Sequence, residues 1–308
     1  MDTTLRNGQN QKSHPGRRNS LIELYRFLFA LWVVWYHGYF VFKNQYFDDG
    51  YLAVEFFFLL SGFYFSRTLD KYNGDPFFVG LVRMIWSKLK PLGAAFIIGV
   101  IFVLIQYILE GRPVLFGYLW YIPIMLLAFV MIYTLRYLIK NDAVYIALLI
   151  AIAAANFLIL YIPISEKLGV ARGLGTVSLG VLLRFIPTVE FKVGKIGLNG
   201  IITALIFAAV VYLAYLPKEG LACEHLLIFA FMPMLIYFTN TVKTTCKVLD
   251  FLGSLSFPIY AYQCILRILR MTCEMPQYCF FIILICLIAA DKLIHMLYHR
   301  RMGKRVIA

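Results

Sequence analysis

Residues 26–39, "RFLFALWVVWYHGY", form an apolar run with an arginine at its start and a histidine near its end. A charge at mid-membrane costs about 2.5–3.5 kcal/mol on insertion scales, so both groups are expensive in hydrocarbon. Each residue of an α-helix turns the chain by about 100°, and eleven residues return to within about 20° of the starting direction. Arg26 and His37 therefore share one stripe, roughly 16 Å apart along the axis. Such a stripe is expected to face a bundle interior or a wet cavity. Two plainer accounts stay open at this point: Arg26 snorkelling to headgroups, and His37 bonding a helix carbonyl.

The rest of the chain has the same character. Of its 308 residues 62% are apolar and only 15% charged, against about 45–50% apolar in an ordinary soluble domain. The apolar residues come in blocks of about 18–22, long enough to cross a hydrocarbon core about 30 Å thick. Candidate spans fall near 21–42, 51–66, 92–109, 118–138, 143–162, 173–187, 197–216, 221–241, 254–270 and 276–296. The second, sixth and ninth are short or broken by Gly and Pro. The expected fold is all-α, a polytopic transmembrane helical bundle of about ten spans. Residues 1–20 form a basic leader, 21–296 a single membrane domain, and 297–308 a basic tail.

The net charge of +13 does not point to nucleic acid. With both termini placed in the cytoplasm, most Lys and Arg fall on inner segments and few on outer ones, as the positive-inside rule requires. Basic segments then set topology and touch anionic membrane lipid. The leader is polar and the run after it is too long for a signal h-region. The six cysteines show no metal spacing, and no metal site is expected. Cys223 and Cys273 both map to the outer side, where they either pair or serve as small apolar residues.

The second span, "YLAVEFFFLLSGFYF", runs back from outside and carries Glu55 about one turn from its outer end. That places Glu55 at the depth expected for His37. A carboxylate beside an imidazole fixes its tautomer and raises its basicity, the arrangement of acid–base catalysis. These residue types allow acid–base chemistry without naming a reaction.

The sequence "R-x10-H" in the first span, followed by "VEFFFLLSGF" in the second, resembles the integral-membrane acyltransferase family three. Its members include O-acetylases of O-antigen, capsule, exopolysaccharide and peptidoglycan. "KLKP" (Lys88–Pro91) is similar to the family's basic "R-I-x-P" element, "LWYIPIMLL" from Leu119 to its "W-F-L" stretch, and "LGSLSFPIYAYQCIL" from Leu252 to its late "SY-x-x-Y-L-x-H" signature. The four elements occur in family order. Lys88 stands where arginine is usual, keeping charge but losing the bidentate fork. Gln263 stands where histidine is usual, keeping only hydrogen bonding.

The resemblance implies a multi-pass protein of a bacterial cytoplasmic (inner) membrane that moves an acyl group, most simply acetyl, from cytoplasmic acyl-CoA to a hydroxyl of an envelope glycan or lipid-linked sugar. By resemblance His37 and Glu55 are the catalytic candidates. Arg26, with Arg83, Lys88 and Lys90, would hold the phosphates of acetyl-CoA. Tyr36, Trp120, Tyr121 and Gln263 are candidates for the acceptor. Ser61 and Gly62 of the "SG" are read as close-packing residues, and Glu224 with His225 as solvated surface. "DPFFVGLVRMIWSKLKP" reads either as an interfacial helix or as a basic loop. A transporter or flippase of a lipid-linked glycan is the competing reading, since Gly/Pro-broken spans suit one. Oligomeric state is not legible.

Overall fold

The computed structural model describes residues 19–42, 50–72, 74–110, 119–159, 169–193, 196–215, 221–263, 265, 268–269 and 277–305. The described chain is mostly helical and carries one short antiparallel ladder, in which Lys192 pairs with Gly197 and Val193 with Ile196. The helices are α1 (Ser20–Phe42), α2 (Tyr51–Tyr72), α3 (Phe77–Leu89), α4 (Gly93–Glu110), α5 (Tyr121–Leu138), α6 (Asp142–Ile159), α7 (Gly169–Leu182), α8 (Asn199–Tyr215), α9 (Leu221–Leu226), α10 (Met232–Thr241), α11 (Lys247–Tyr262) and α12 (Gln277–Arg305). A π-helical segment, Leu227–Phe231, joins α9 to α10 in one continuous helical stretch.

A helix thus occupies each of the ten apolar segments expected from sequence. Among the described residues three helical stretches, Tyr51–Tyr72, Tyr121–Leu138 and Cys223–Thr241, are long and apolar enough to cross a membrane. A fourth is added if the pair Phe77–Leu92 and Ala95–Leu109, bent by 82°, is counted as one. Helices α7 and α11 start before the apolar runs expected at 173–187 and 254–270, and they take in Arg172 and Asp250, which bond Glu55 and Ser20.

Side-chain registers give the helix directions. Phe29 stacks on Phe56 at 4.0 Å and Gly50 abuts Tyr36, so α1 and α2 are antiparallel. Phe65 stacks on Phe129 at 4.1 Å while Tyr121 bonds Phe57, so α2 and α5 run parallel. Ser20 bonds Asp250 at 2.6 Å and Gly253 abuts Glu23, so α1 and α11 are parallel. Asn156 meets Gly175 and Tyr145 meets Phe185, so α6 and α7 are antiparallel. These pairings agree with an up-and-down threading, which gathers Arg67, Lys71, Arg136, Lys140 and Lys247 at one end, called here the basic end.

Glycine governs the tightest approach. A Cβ on Gly62 would collide with the Val177 carbonyl, and one on Gly180 with the Leu59 carbonyl. The α2 and α7 backbones therefore meet directly, as small residues permit between apolar helices. Helix α3 settles the choice left open for "DPFFVGLVRMIWSKLKP" in favour of a helix. Its Phe78, Val82 and Trp86, spaced four apart, are exposed, while Gly80 and Met84 are buried. An exposed apolar stripe on a surface helix suits burial in a lipid interface.

Candidate functional site

A cavity of about 260 Å³ lies among α1, α2, α3, α5 and α11. Along α2 its wall runs from Val54 to Tyr64, about 15 Å at the helical rise. Most of the wall is apolar. The polar exceptions are Lys88 and Tyr64 toward the basic end, and Arg26, Ser61 and Tyr121 about midway, with Ser256 and Tyr260 contributed by α11.

Each midway group is positioned by its own element. Arg26 donates to Glu23 one helical turn earlier, at 2.6 Å. Glu23 is itself buried, and Gly253 leaves room for it beneath α11. Tyr121 enters from the first turn of α5, donates to the Phe57 carbonyl at 3.1 Å and lies 2.7 Å from the Ser61 hydroxyl. The Arg26 charge is near enough to Tyr121 to act on it electrostatically. Ser61 corrects the expectation from sequence. Gly62 does pack against α7, but its neighbour is turned about 100° away and lines the cavity.

Lys88 is held near the basic end by a 2.7 Å hydrogen bond to Thr68, and its ammonium lies 5.5 Å from both the Phe65 and Phe129 rings. Burial pushes its pKa down to about 8. Arg83 points elsewhere, to Asp75 at 3.1 Å. Lys90 is exposed in the 3-10 turn before α4 and is not part of the cavity wall.

The outer pair expected from sequence is not level. With Phe29 opposite Phe56 and Tyr36 opposite Gly50, Glu55 falls near the level of Ala30, about 10 Å deeper than His37. The reason is an overhang: α1 continues to Phe42, whereas α2 begins at Tyr51, roughly opposite Trp35. Glu55 is 1% exposed, and its carboxylate is bonded to side chains of α7. Its Oε1 accepts from Arg172 Nε at 2.8 Å and its Oε2 from Thr176 at 2.6 Å. Arg172 was missed in the sequence because it sits in the Gly-rich start of a short span; a lone arginine beside Gly173 and Gly175 is the signal that marks it.

His37 touches the edge of Tyr36 at 5.1 Å, and Tyr36 touches Tyr51 at 6.2 Å. Tyr51 lies under the Arg172 guanidinium at 5.3 Å and bonds Glu224. Glu224 and His225 are therefore not plain solvated surface. His225 is buried against Phe157, whose carbonyl lies 3.2 Å from its Nε2. His37 lies about 9 Å beyond the Val54 level and outside the cavity wall, as do Tyr36, Trp120 and Gln263. Trp120 packs on Phe58 at 5.9 Å. Gln263 is 1% exposed at the end of α11, and its amide has no hydrogen-bond partner among the described residues. Cys223 is a free thiol, and Cys273 lies outside the described residues. Among the described residues no three His, Cys, Asp or Glu side chains gather as a metal site would require.

The chain matches no protein-family model, no curated protein and no solved structure.

Proposed function

We propose that the chain is a membrane O-acyltransferase that moves an acyl group, most simply acetyl, from acyl-CoA to a hydroxyl of an envelope carbohydrate. The observation that supports it is the mostly apolar cavity with one cation toward its basic end and a second about midway. That pattern is matched by a donor with phosphates at one end and a thin, mostly apolar tether at the other. On this reading the ten helices cross the membrane, and the basic end is cytoplasmic by the positive-inside rule.

Lys88 and Arg26 would take the donor's phosphates through charge-assisted hydrogen bonds. The tether would then rise along the Arg26–His37 stripe, whose roughly 16 Å is close to the extended length of a pantetheine arm. Its last part would extend past the cavity wall, which ends at the Val54 level.

His37 would take the proton from the acceptor hydroxyl as that oxygen attacks the thioester carbonyl. The carbon–sulfur bond breaks, the thiolate leaves, and the imidazolium returns its proton to sulfur. The products are an O-ester and free CoA thiol. A route through an acyl-imidazole on His37 gives the same products and is separated by trapping labelled acyl-protein with donor alone. Glu55 has no direct part in this scheme. It holds α2 to α7.

The test is thiol release by purified protein in detergent, given acetyl-CoA and a panel of envelope sugars. Release that depends on His37 and on a sugar supports transfer. Binding of acetyl-CoA without turnover on any sugar, or no binding, counts against it. The π-helical turn between α9 and α10 and Pro233 at the start of α10 favour one second reading, carriage of a lipid-linked glycan, which consumes no thioester.

A further inference from the structure

We infer that Ser61 and Tyr121 form a subsite for the amide and hydroxyl groups of the donor's tether; this rests on the acyl-CoA reading above. The two hydroxyls lie 2.7 Å apart on the wall of a cavity that is otherwise mainly apolar at this depth, between Phe57, Leu60, Ile122 and Met125. A hydrocarbon ligand would gain nothing from them. A tether with polar groups spaced along it would.

The pair can present either face of a hydrogen bond. Tyr121 has one proton and two neighbours, the Phe57 carbonyl at 3.1 Å and Ser61. When Tyr121 donates to Phe57, the Ser61 proton goes to the tyrosine oxygen, and Ser61 offers lone pairs to the cavity. When Tyr121 donates to Ser61, the Ser61 proton is turned outward. One arrangement receives an amide N–H or a hydroxyl, and the other serves an amide carbonyl. Pantetheine carries a hydroxyl and an amide close to its phosphate end. That is the part of the donor lying beside Ser61 and Tyr121 when Arg26, at the same depth, holds phosphate. The polar pair therefore acts as a specificity element, selecting pantetheine thioesters over phosphate-headed lipids whose chains lack amides. Tyr121 moves by this inference from the acceptor end to the donor end.

The experiment measures binding of acetyl-CoA and of 3′,5′-ADP, which keeps the nucleoside and two of the donor's three phosphates but no tether, to full-length protein and its S61A and Y121F variants. Loss of one neutral hydrogen bond predicts acetyl-CoA affinity reduced about 3- to 10-fold in each variant, with 3′,5′-ADP affinity unchanged. Ser61→Thr, which keeps the hydroxyl, restores acetyl-CoA binding. Equal losses for both probes, or no loss for either, overturn the subsite while leaving the acyl-CoA reading in place. Wild-type protein that binds neither probe overturns that reading, and the subsite with it.

Discussion

Arg172, in the first turn of α7, sets two guanidinium nitrogens on one oxygen of Glu55, Nε at 2.8 Å and a terminal nitrogen at 2.5 Å, while Thr176 holds the other oxygen. Glu55 is 1% exposed, so losing Arg172 strands a buried charge. Breaking such a pair costs about 3–5 kcal/mol, whereas replacing both partners by apolar groups of similar volume is often neutral. Glu55→Ala and Arg172→Ala should therefore each lower the thermal midpoint in detergent strongly. A double replacement with leucine should recover most of the loss. Single variants melting like wild type would remove the pair from its place as the α2–α7 pin.

Gly62 and Ser61, neighbours in "SGF", should separate cleanly by assay. A methyl on Gly62 meets the Val177 carbonyl, and one on Gly180 the Leu59 carbonyl. Overpacking of this kind costs about 1–3 kcal/mol. Gly62→Ala and Gly180→Ala should reduce the yield of folded protein and its melting temperature, while Ser61→Ala should melt close to wild type. Circular dichroism melts of the three purified variants decide the matter.

The helices were legible because the apolar residues come in long blocks, and each apolar block coincides with a helix. Helix register was not legible. Depth counted from a span's end assumes that neighbouring helices end together, and the overhang of α1 past Tyr51 breaks that assumption for His37 and Glu55. Arg26, Lys88 and Tyr121 could be picked from sequence, since cations and paired aromatics stand out in apolar runs. Arg172 stands out less, because it lies one residue before the expected span 173–187, beside Gly173 and Gly175. The facing of Ser61 needed the Gly62–Val177 contact to fix rotation, a tertiary fact that no local pattern carries.

Lys88 supplies a pH dependence. Its burial against Phe65 and Phe129 brings the ammonium down to about 8. Below that pH it is charged and receptive to phosphate. Above it the empty site is neutral, and an anion must recruit a proton in order to bind. Affinity for 3′,5′-ADP should hold between pH 7 and 8, then fall by up to about tenfold per pH unit above 8, since one proton is linked to binding. The probe's phosphates titrate near pH 6, outside this window. Lys88→Arg should bind without the decline, and Lys88→Gln should bind weakly at every pH. A decline that persists in Lys88→Gln would assign it to another group.

Arg26 has two duties that one substitution confounds. It neutralises buried Glu23 at 2.6 Å, and on the acyl-CoA reading it also holds phosphate. Arg26→Ala should therefore lower both stability and donor affinity, and the affinity loss alone proves nothing. Adding Glu23→Gln removes the stranded carboxylate. The double variant should regain most of its thermal stability, yet still bind acetyl-CoA at least about tenfold more weakly than wild type, as expected for a lost hydrogen bond to a charged group. His37→Ala should show the complementary pattern, acetyl-CoA affinity within about twofold of wild type and no sugar-dependent thiol release, because its imidazole stands about 9 Å beyond the Val54 level. If the double variant recovered affinity along with stability, Arg26 would be a structural partner of Glu23 and the phosphates would have to be held by Lys88 and its neighbours at the basic end.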